Sequence, residues 1–230
     1  MSSASVGMAV WRIALRLAVG TSVDCESLDH QELDLASRMR NPADARRWAH
    51  AHAAMRRILA MHLRVAPSDI GYARDGGGKP RVVVASRPAP RIDFSLTHSG
   101  DWAYLAVSPD ATVGIDLERI SDSIDYASLL DIVCTPAESQ FVGSRPEAER
   151  NAQFHRIWVR KESLLKSIGV GLPTEQPLTA IDVLAPVAYH QAFPDQPWWV
   201  TDVPAPDGYV AALTSSESTT NISWHEWPCS

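Results

Sequence analysis

Two carboxylates stand two residues apart in the segment GIDLE, residues 114–118. In a β-strand, residues two apart project from the same face and lie roughly 7 Å apart, so Asp116 and Glu118 would point together while Ile115 and Leu117 face a core. Two carboxylates on one face repel each other unless a cation lies between them, and such hard oxygen ligands suit Mg²⁺. The same pattern also occurs on a solvated sheet face, so the pair alone leaves both interpretations open.

A second charged pair follows in the segment WVRKESLLK, residues 158–166. Glu162 and Lys166 are four residues apart, so on a helix they are neighbours in the orientation that favours an ion pair. Taken alone, the pair is equally typical of a surface salt bridge that contributes only a few tenths of a kcal/mol.

Two loops carry further polar groups. The segment THSGD, residues 97–101, places His98 at a strand–turn junction, where Gly100 permits close approach of the backbone. The segment GGGKP, residues 76–80, invites comparison with a phosphate-binding loop, but a Walker A motif requires glycine at Ala73 and serine or threonine at Pro80. The GGGKP segment is therefore either a basic turn that approaches an anion or a plain hairpin turn.

Helices must position these groups. Asn41 followed by Pro42 is a favourable helix start, and apolar residues recurring every three or four positions predict a helix to about residue 64. A second long helix is predicted from residue 146 to a stop at Gly169. Between them, the segment TPAE at residues 135–138 has the pattern of a capping box.

Strands are predicted around both helices. The first, residues 10–19, is interrupted by Arg12 and Arg16, which indicates a half-buried strand rather than a secretory signal. Further strands are predicted around residues 82–84, 94–96, 102–107, 113–117, 178–184, 198–203, 209–213 and 221–224. A strand, a long helix and several strands thus occur twice, with a break near Asp110. We expect an α+β fold with a pseudo-two-fold repeat of two similar subdomains, residues 1–110 and 111–230. Each would be a long helix packed on an antiparallel sheet, and the second would carry the paired carboxylates.

Composition narrows the class of protein. Of the 230 residues, 45% are apolar and 21% are charged, which is ordinary globular usage. The net charge of −6 argues against binding to nucleic acid or anionic lipid through bulk charge, and no run reaches the ~20 apolar residues of a membrane span. The three cysteines form no CxxC motif, which fits a reducing cytoplasm better than a disulfide framework or a cysteine zinc site.

Taken in order along the chain, the motifs form a recognisable series. A GKP turn precedes FSLTHSGDW, which is followed by VGIDLE and then by F-x-x-x-W-x-x-K-E-S-x-x-K-x-x-G-x-G-L. The series resembles the 4′-phosphopantetheinyl transferases, specifically the longer surfactin-synthetase-activating type, over residues 46–172. The resemblance implies transfer of the phosphopantetheine arm of coenzyme A to a serine of an acyl or peptidyl carrier domain, with release of 3′,5′-ADP.

The resemblance also implies roles for individual residues. Asp116, Glu118 and Glu162 would hold Mg²⁺ or Mn²⁺, Glu162 would be the general base, and Lys166 would stabilise charge on the leaving phosphate or protonate it. Asp116, Lys166 and His98 are expected both to take part in catalysis and to contact coenzyme A. The other expected contacts of coenzyme A are Thr97 with its phosphates, the turn residues Gly78, Lys79 and Pro80 with its adenine nucleotide, and Arg47, or Arg46 if the register shifts by one, with its 3′-phosphate.

Some positions depart from the family pattern. Cys134 stands where an aromatic residue often precedes the TPAE turn, which implies a change in packing. Other family members carry basic residues before the first long helix. Arg38 and Arg40 are candidates for these, but their spacing is shorter than in the family and no role is assigned to them. Because carrier domains and this chain are both acidic, recognition would depend on apolar contacts and local basic residues rather than on overall charge. We expect a cytoplasmic monomer that serves nonribosomal peptide, polyketide or siderophore synthesis.

Two alternatives use the same residues. A metal-dependent phosphohydrolase acting on coenzyme A or a related nucleotide would cleave its substrate without a carrier domain. A binding module that retains the fold without the chemistry would bind coenzyme A and modify no carrier. The presence of all three carboxylates and of Lys166 argues against the binding module.

Overall fold

The computed structural model describes residues 7–16, 25–74, 78–85, 88, 91–169, 177–191, 193–218 and 221–228. In chain order the regular elements are β1 (Met8–Ala14), α1 (His30–Ser37), α2 (Pro42–Leu63), β2 (Ile70–Arg74), β3 (Pro80–Val84), β4 (Asp93–Ser99), β5 (Trp102–Ser108), β6 (Val113–Arg119), α3 (Tyr126–Val133), α4 (Pro136–Gly143), α5 (Glu147–Ile168), β7 (Val187–His190), β8 (Phe193–Asp202), β9 (Tyr209–Ser215) and β10 (Ile222–Trp227). Short 3₁₀ helices occur at Cys25–Ser27, Pro67–Asp69 and Leu178–Ala180.

The chain divides into two compact units, Met1–Asp110 with Ile222–Ser230 and Ala111–Asn221. In the first unit the sheet order is β10-β1-β5-β4, and β2 and β3 form a separate antiparallel pair. In the second unit the order is β6-β9-β8-β7, with every pairing antiparallel. Each unit has a helix of 22 residues and a four-stranded sheet among its described residues, so the α+β class is confirmed.

The last strand belongs with the first unit, although the sequence pattern assigned residues 111–230 to the second. β10 pairs in parallel with β1, with Met8 opposite Ile222 and Ile13 opposite Trp227. The backbone hydrogen bonds of this ladder tie the terminal strand to β1, so the first unit has a mixed sheet rather than a purely antiparallel one.

The expected helix ends are confirmed. The Asn41 side chain accepts a hydrogen bond from the Ala43 backbone amide at 2.9 Å, and Gly169 ends α5 in the left-handed region at φ 84°. Thr135 and Glu138 exchange the two bonds of a capping box, at 3.2 and 2.8 Å. Local hydrogen-bonding chemistry therefore determines where α2, α4 and α5 begin or end.

The strand expected over residues 178–184 is wrong. That segment is a 3₁₀ turn followed by irregular backbone, and it buries Leu178, Ile181 and Val183 in the core cluster that includes Phe154 of α5. An apolar run that fills a core without pairing with a strand resembles a buried strand in sequence. The first strand is shorter than expected and ends at Ala14, and residues 17–24 lie outside the described part of the chain.

None of the described helices is long and apolar enough to cross a membrane.

Candidate active site

Helix α5 lies directly on strand β6 at Gly114. A Cβ atom placed on Gly114 would come within 2.0 Å of the Ser163 carbonyl oxygen and 2.5 Å of the Ser167 amide nitrogen. Both atoms belong to the α5 backbone, so only glycine allows this approach. The Ser163 hydroxyl also bonds the Thr214 hydroxyl of β9 at 2.7 Å, which ties the same turn of α5 to the neighbouring strand.

The close approach brings Asp116 and Lys166 together. Asp116 follows Gly114 by two residues and therefore projects from the same face of β6, and its side chain is buried. Lys166 Nζ donates to Asp116 Oδ1 at 2.6 Å, while the lysine side chain stays about one-third exposed at 33%. A cation thus reaches from the helix to a buried carboxylate of the strand and remains accessible to a bound molecule.

Glu162 lies one helical turn before Lys166. Burial raises the pKa of the Glu162 carboxyl, the nearby carboxylates of Asp116 and Glu118 raise it further, and Lys166 opposes this shift. Glu162 Oε1 is buried and has no hydrogen-bond partner among the described residues. The site therefore combines three acidic groups with one ammonium, and one of its carboxylate oxygens is buried without compensation.

The chemistry of these side chains suits a divalent cation, although their arrangement is not that of a formed metal site. The donors are all carboxylate oxygens, as hard cations prefer, and the buried Glu162 oxygen lacks the partner that a desolvated carboxylate needs. Within the described ranges, no three His, Cys, Asp or Glu side chains already form a compact metal cluster, and Lys166 holds one Asp116 oxygen. The residues can supply ligands, but they are not drawn together around an ion.

Lys161, the other lysine of the WVRKESLLK segment, contacts α3, α4 and the 3₁₀ turn at Leu178 rather than strand β6. Its side chain is fully buried, and Nζ donates to the carbonyl oxygens of Val133 and Leu178, each at 2.7 Å, and pairs with Glu138 at 2.6 Å. Glu138 in turn accepts from the Val183 amide at 2.9 Å. Burial lowers the pKa of Lys161, and its bond with Glu138 opposes this shift. The pair therefore anchors α3, α4 and the 3₁₀ turn to α5.

In the first unit, Arg47 lies beside the turn that follows His98. Its guanidinium bonds Asp101 at 3.2 Å and Asp44 at 3.1 Å. Thr97 is buried and His98 is exposed on adjacent positions of β4. The structure therefore brings Arg47 to the same end of β4 as these two residues.

Lys79 lies towards the opposite end of β4. Its ammonium pairs with Asp93, the first residue of that strand, and burial lowers its pKa while Asp93 opposes the shift. Asp93 and His98 are five residues apart, which is roughly 16 Å along a strand. The flanking Gly78 and Pro80 are half-buried, whereas residues 75–77 of the expected turn lie outside the described part of the chain.

Two family models match the chain. The model described as the 4′-phosphopantetheinyl transferase superfamily matches residues 112–214, which contain Asp116, Glu162 and Lys166. The model described as the N-terminal region of 4′-phosphopantetheinyl transferases matches residues 21–110.

Curated relatives agree with both matches. The chain is 30% identical to the 4′-phosphopantetheinyl transferase HetI of a Nostoc species over 207 residues. The aligned region covers 89% of this chain and 85% of the relative. It is 36% identical over 137 residues to the 4′-phosphopantetheinyl transferase psf-1 of Bacillus pumilus, covering 60% of this chain and 56% of the relative. It is 34% identical over 128 residues to the human L-aminoadipate-semialdehyde dehydrogenase-phosphopantetheinyl transferase, covering 53% of this chain and 41% of the relative. The chain therefore belongs to the 4′-phosphopantetheinyl transferase superfamily and is an enzyme of that class.

Proposed function

We propose that the protein transfers the 4′-phosphopantetheine arm of coenzyme A to a serine hydroxyl of an acyl or peptidyl carrier domain and releases 3′,5′-ADP. The observation that carries this proposal is the contact of Lys166 with buried Asp116, with Glu162 one helical turn away. In the reaction, a bond forms between the serine oxygen and the phosphorus of the phosphopantetheine phosphate. The bond from that phosphorus to the bridging oxygen of the diphosphate breaks.

Glu162 is the proposed general base. Its carboxylate lies in the same site as Asp116 and Glu118, and one of its oxygens is buried without a hydrogen-bond partner among the described residues, so the carboxylate has capacity to accept a proton. The serine proton passes to this carboxylate, directly or through one water molecule. The ammonium of Lys166, which is partly exposed, stabilises the negative charge that develops on the departing phosphate oxygen.

A divalent cation, Mg²⁺ or Mn²⁺, would be held by Asp116, Glu118 and Glu162. When bound, such an ion supplies positive charge that neutralises a diphosphate and polarises its phosphorus. The accumulation of acidic groups and the uncompensated Glu162 oxygen support this assignment.

The first unit would contribute contacts to the nucleotide part of coenzyme A. Arg47 is assigned to the 3′-phosphate, since a guanidinium can make two parallel hydrogen bonds to phosphate oxygens. Thr97 and His98 at the same end of β4 are assigned to the phosphates, and the turn of Gly78, Lys79 and Pro80 to the adenine nucleotide. The proximity of Arg47 to the turn after His98 supports the first two assignments.

The proposed partners are carrier domains of nonribosomal peptide, polyketide or siderophore synthesis, acted on in the cytoplasm by a monomer. With a net charge of −6, the protein would recognise an acidic carrier through apolar contacts and local basic groups rather than through overall attraction.

Incubation of the full chain with coenzyme A, Mg²⁺ and several unrelated apo-carrier domains tests this proposal, with intact-mass spectrometry of each carrier. We expect a covalent phosphopantetheine adduct on at least one carrier and formation of 3′,5′-ADP that depends on the carrier serine. Cleavage of coenzyme A at an equal rate without a carrier would identify a phosphohydrolase and refute transfer. Absence of any adduct with every carrier would also contradict the proposal.

A further inference from the structure

A second arginine shares the carboxylate that holds Arg47. Arg16 Nε donates to Asp101 Oδ2 at 2.7 Å, while Arg47 bonds the other oxygen, Oδ1, at 3.2 Å. One carboxylate thus bridges two guanidinium groups from distant parts of the chain.

The backbone positions Arg16 at this carboxylate. The Leu15 amide donates to the Asp101 carbonyl at 2.8 Å, and the end of β1 pairs with the start of β5 through Ala14 and Trp102. Gly100, at φ 55°, forms the tight turn that brings Asp101 to this place directly after β4. The end of β1, the β4–β5 turn and helix α2 therefore converge, so the proximity of Arg16 to Arg47 follows from the fold of the unit.

Within the described part of the chain, both arginines keep N–H donors that make no hydrogen bond. A guanidinium has five N–H donors in a planar fork, and the described contacts of Arg16 engage only Nε. The Arg16 side chain is 83% exposed, and that of Arg47 is 34% exposed. Asp101 has its pKa lowered by its bonds with Arg16 and Arg47, so it stays ionised. Asp44 also pairs with Arg47, but it is 61% exposed and well solvated.

We propose that Arg16 is a further binding residue for the phosphomonoester dianion of the substrate, the 3′-phosphate of coenzyme A, and acts beside Arg47 with Asp101 holding the two guanidinium groups together. The inference rests on the proposed function, which assigns Arg47 to this phosphate. A dianion carries one more charge than a single guanidinium neutralises, and bidentate contacts from two forks can satisfy its three terminal oxygens. The motif series does not include Arg16, because the residue lies upstream of it.

The test compares coenzyme A with 3′-dephospho-coenzyme A. Dissociation constants of both ligands are measured by titration calorimetry on the full chain for the parent, Arg16→Gln and Arg12→Gln. Arg12 is the matched control, since it lies in β1 four residues before Arg16 and pairs with Glu226 at 2.7 Å. We expect Arg16→Gln to weaken binding of coenzyme A roughly five- to tenfold, a modest factor for an exposed charged contact. Binding of 3′-dephospho-coenzyme A is expected to stay within twofold of the parent, and Arg12→Gln to leave both ligands unaffected.

Equal weakening of the two ligands by Arg16→Gln, or no change for either, overturns the inference. Because binding is measured without a carrier, this outcome is separate from the fate of the proposed function. If the parent transfers phosphopantetheine normally, but Arg16→Gln has the same ratio of dissociation constants for the two ligands as the parent, only the role of Arg16 is refuted. If the parent modifies no carrier, but Arg16→Gln binds coenzyme A more weakly and 3′-dephospho-coenzyme A as the parent does, only the transfer reaction is refuted.

Discussion

Replacement of Gly114 by alanine should separate α5 from β6 and thereby disable the site. The new Cβ would lie 2.0 Å from the Ser163 carbonyl oxygen, against a lower limit of 3.0 Å for real Cβ contacts. The helix must therefore retreat by about 1 Å locally, the difference between these two distances. The obstructing atoms are backbone, so no side-chain rotation relieves the clash.

The cost can be estimated from this displacement. Overpacking usually destabilises by 1–3 kcal/mol, and a backbone clash belongs at the upper end, about 3 kcal/mol. At about 2–4 °C for each kcal/mol in a chain of this size, the melting temperature should fall by roughly 6–12 °C. Lys166 and Glu162 move with the helix away from Asp116, and a misplacement of about 1 Å can cost about 10²-fold in rate.

The assay is thermal unfolding combined with carrier modification at a temperature where the variant remains folded. Gly143→Ala is the matched control, since a Cβ there meets no atom within 4 Å and the residue ends helix α4. The control should keep its activity and melt at or slightly above the parent temperature, because alanine favours a helix over glycine. A Gly114→Ala protein that melts within about 2 °C of the parent and transfers at the parent rate would refute this account of helix placement.

The charged side chains of the second unit should control its stability and its response to Mg²⁺. Because the pKa of Glu162 is raised in the folded state, the folded protein binds this proton more tightly, and stability falls as pH rises through the interval above the ordinary value of 4.5. In metal-free buffer, Glu162→Gln should therefore melt above the parent at neutral pH, and the difference should vanish as pH falls towards 4.5; a constant difference would contradict this. Lys161→Met should lose about 3–5 kcal/mol in urea unfolding, because it leaves Glu138 charged and buried, and adding Glu138→Gln should recover part of the loss; no recovery would refute the pairing argument. Mg²⁺ at about 100 times its dissociation constant should stabilise the parent by about 2.7 kcal/mol, and the same addition to Asp116→Asn should have little effect; equal stabilisation of both proteins would argue against Asp116 as a ligand.

Local chemistry in the sequence predicted the ends of the helices well. Asn41, Thr135 and Gly169 act at short range, through bonds to residues a few positions away, so their roles can be read from spacing alone. The period-two pattern likewise placed Asp116 and Glu118 on one face of β6. The approach of α5 to that face depends on Gly114 and on the contact between Asp116 and Lys166, which are 50 residues apart in the chain. A periodic pattern in the sequence gives no information about such distant contacts.

Charged residues in the interior were the least predictable. Arg56 lies off the apolar stripe of α2, yet it is buried and bonds Glu32 at 2.6 Å and the Asp29 carboxylate. Lys161 is equally buried against carbonyl groups from two other segments. Burial of such groups is stable only when several distant partners converge on them, and those partners become neighbours only on folding. The parallel pairing of β10 with β1 was missed for the same reason.

The role of Glu162 in phosphopantetheine transfer is tested most directly by the mass of a susceptible carrier domain after reaction with Glu162→Gln, measured beside Glu149→Gln. Both residues lie on α5, but Glu149 is exposed near its start, while Glu162 has a buried oxygen beside Asp116. We expect Glu149→Gln to modify the carrier at the parent rate and Glu162→Gln to slow modification by about 10²-fold or more. Equal rates for the two variants would contradict the assignment of this helix face to the chemistry.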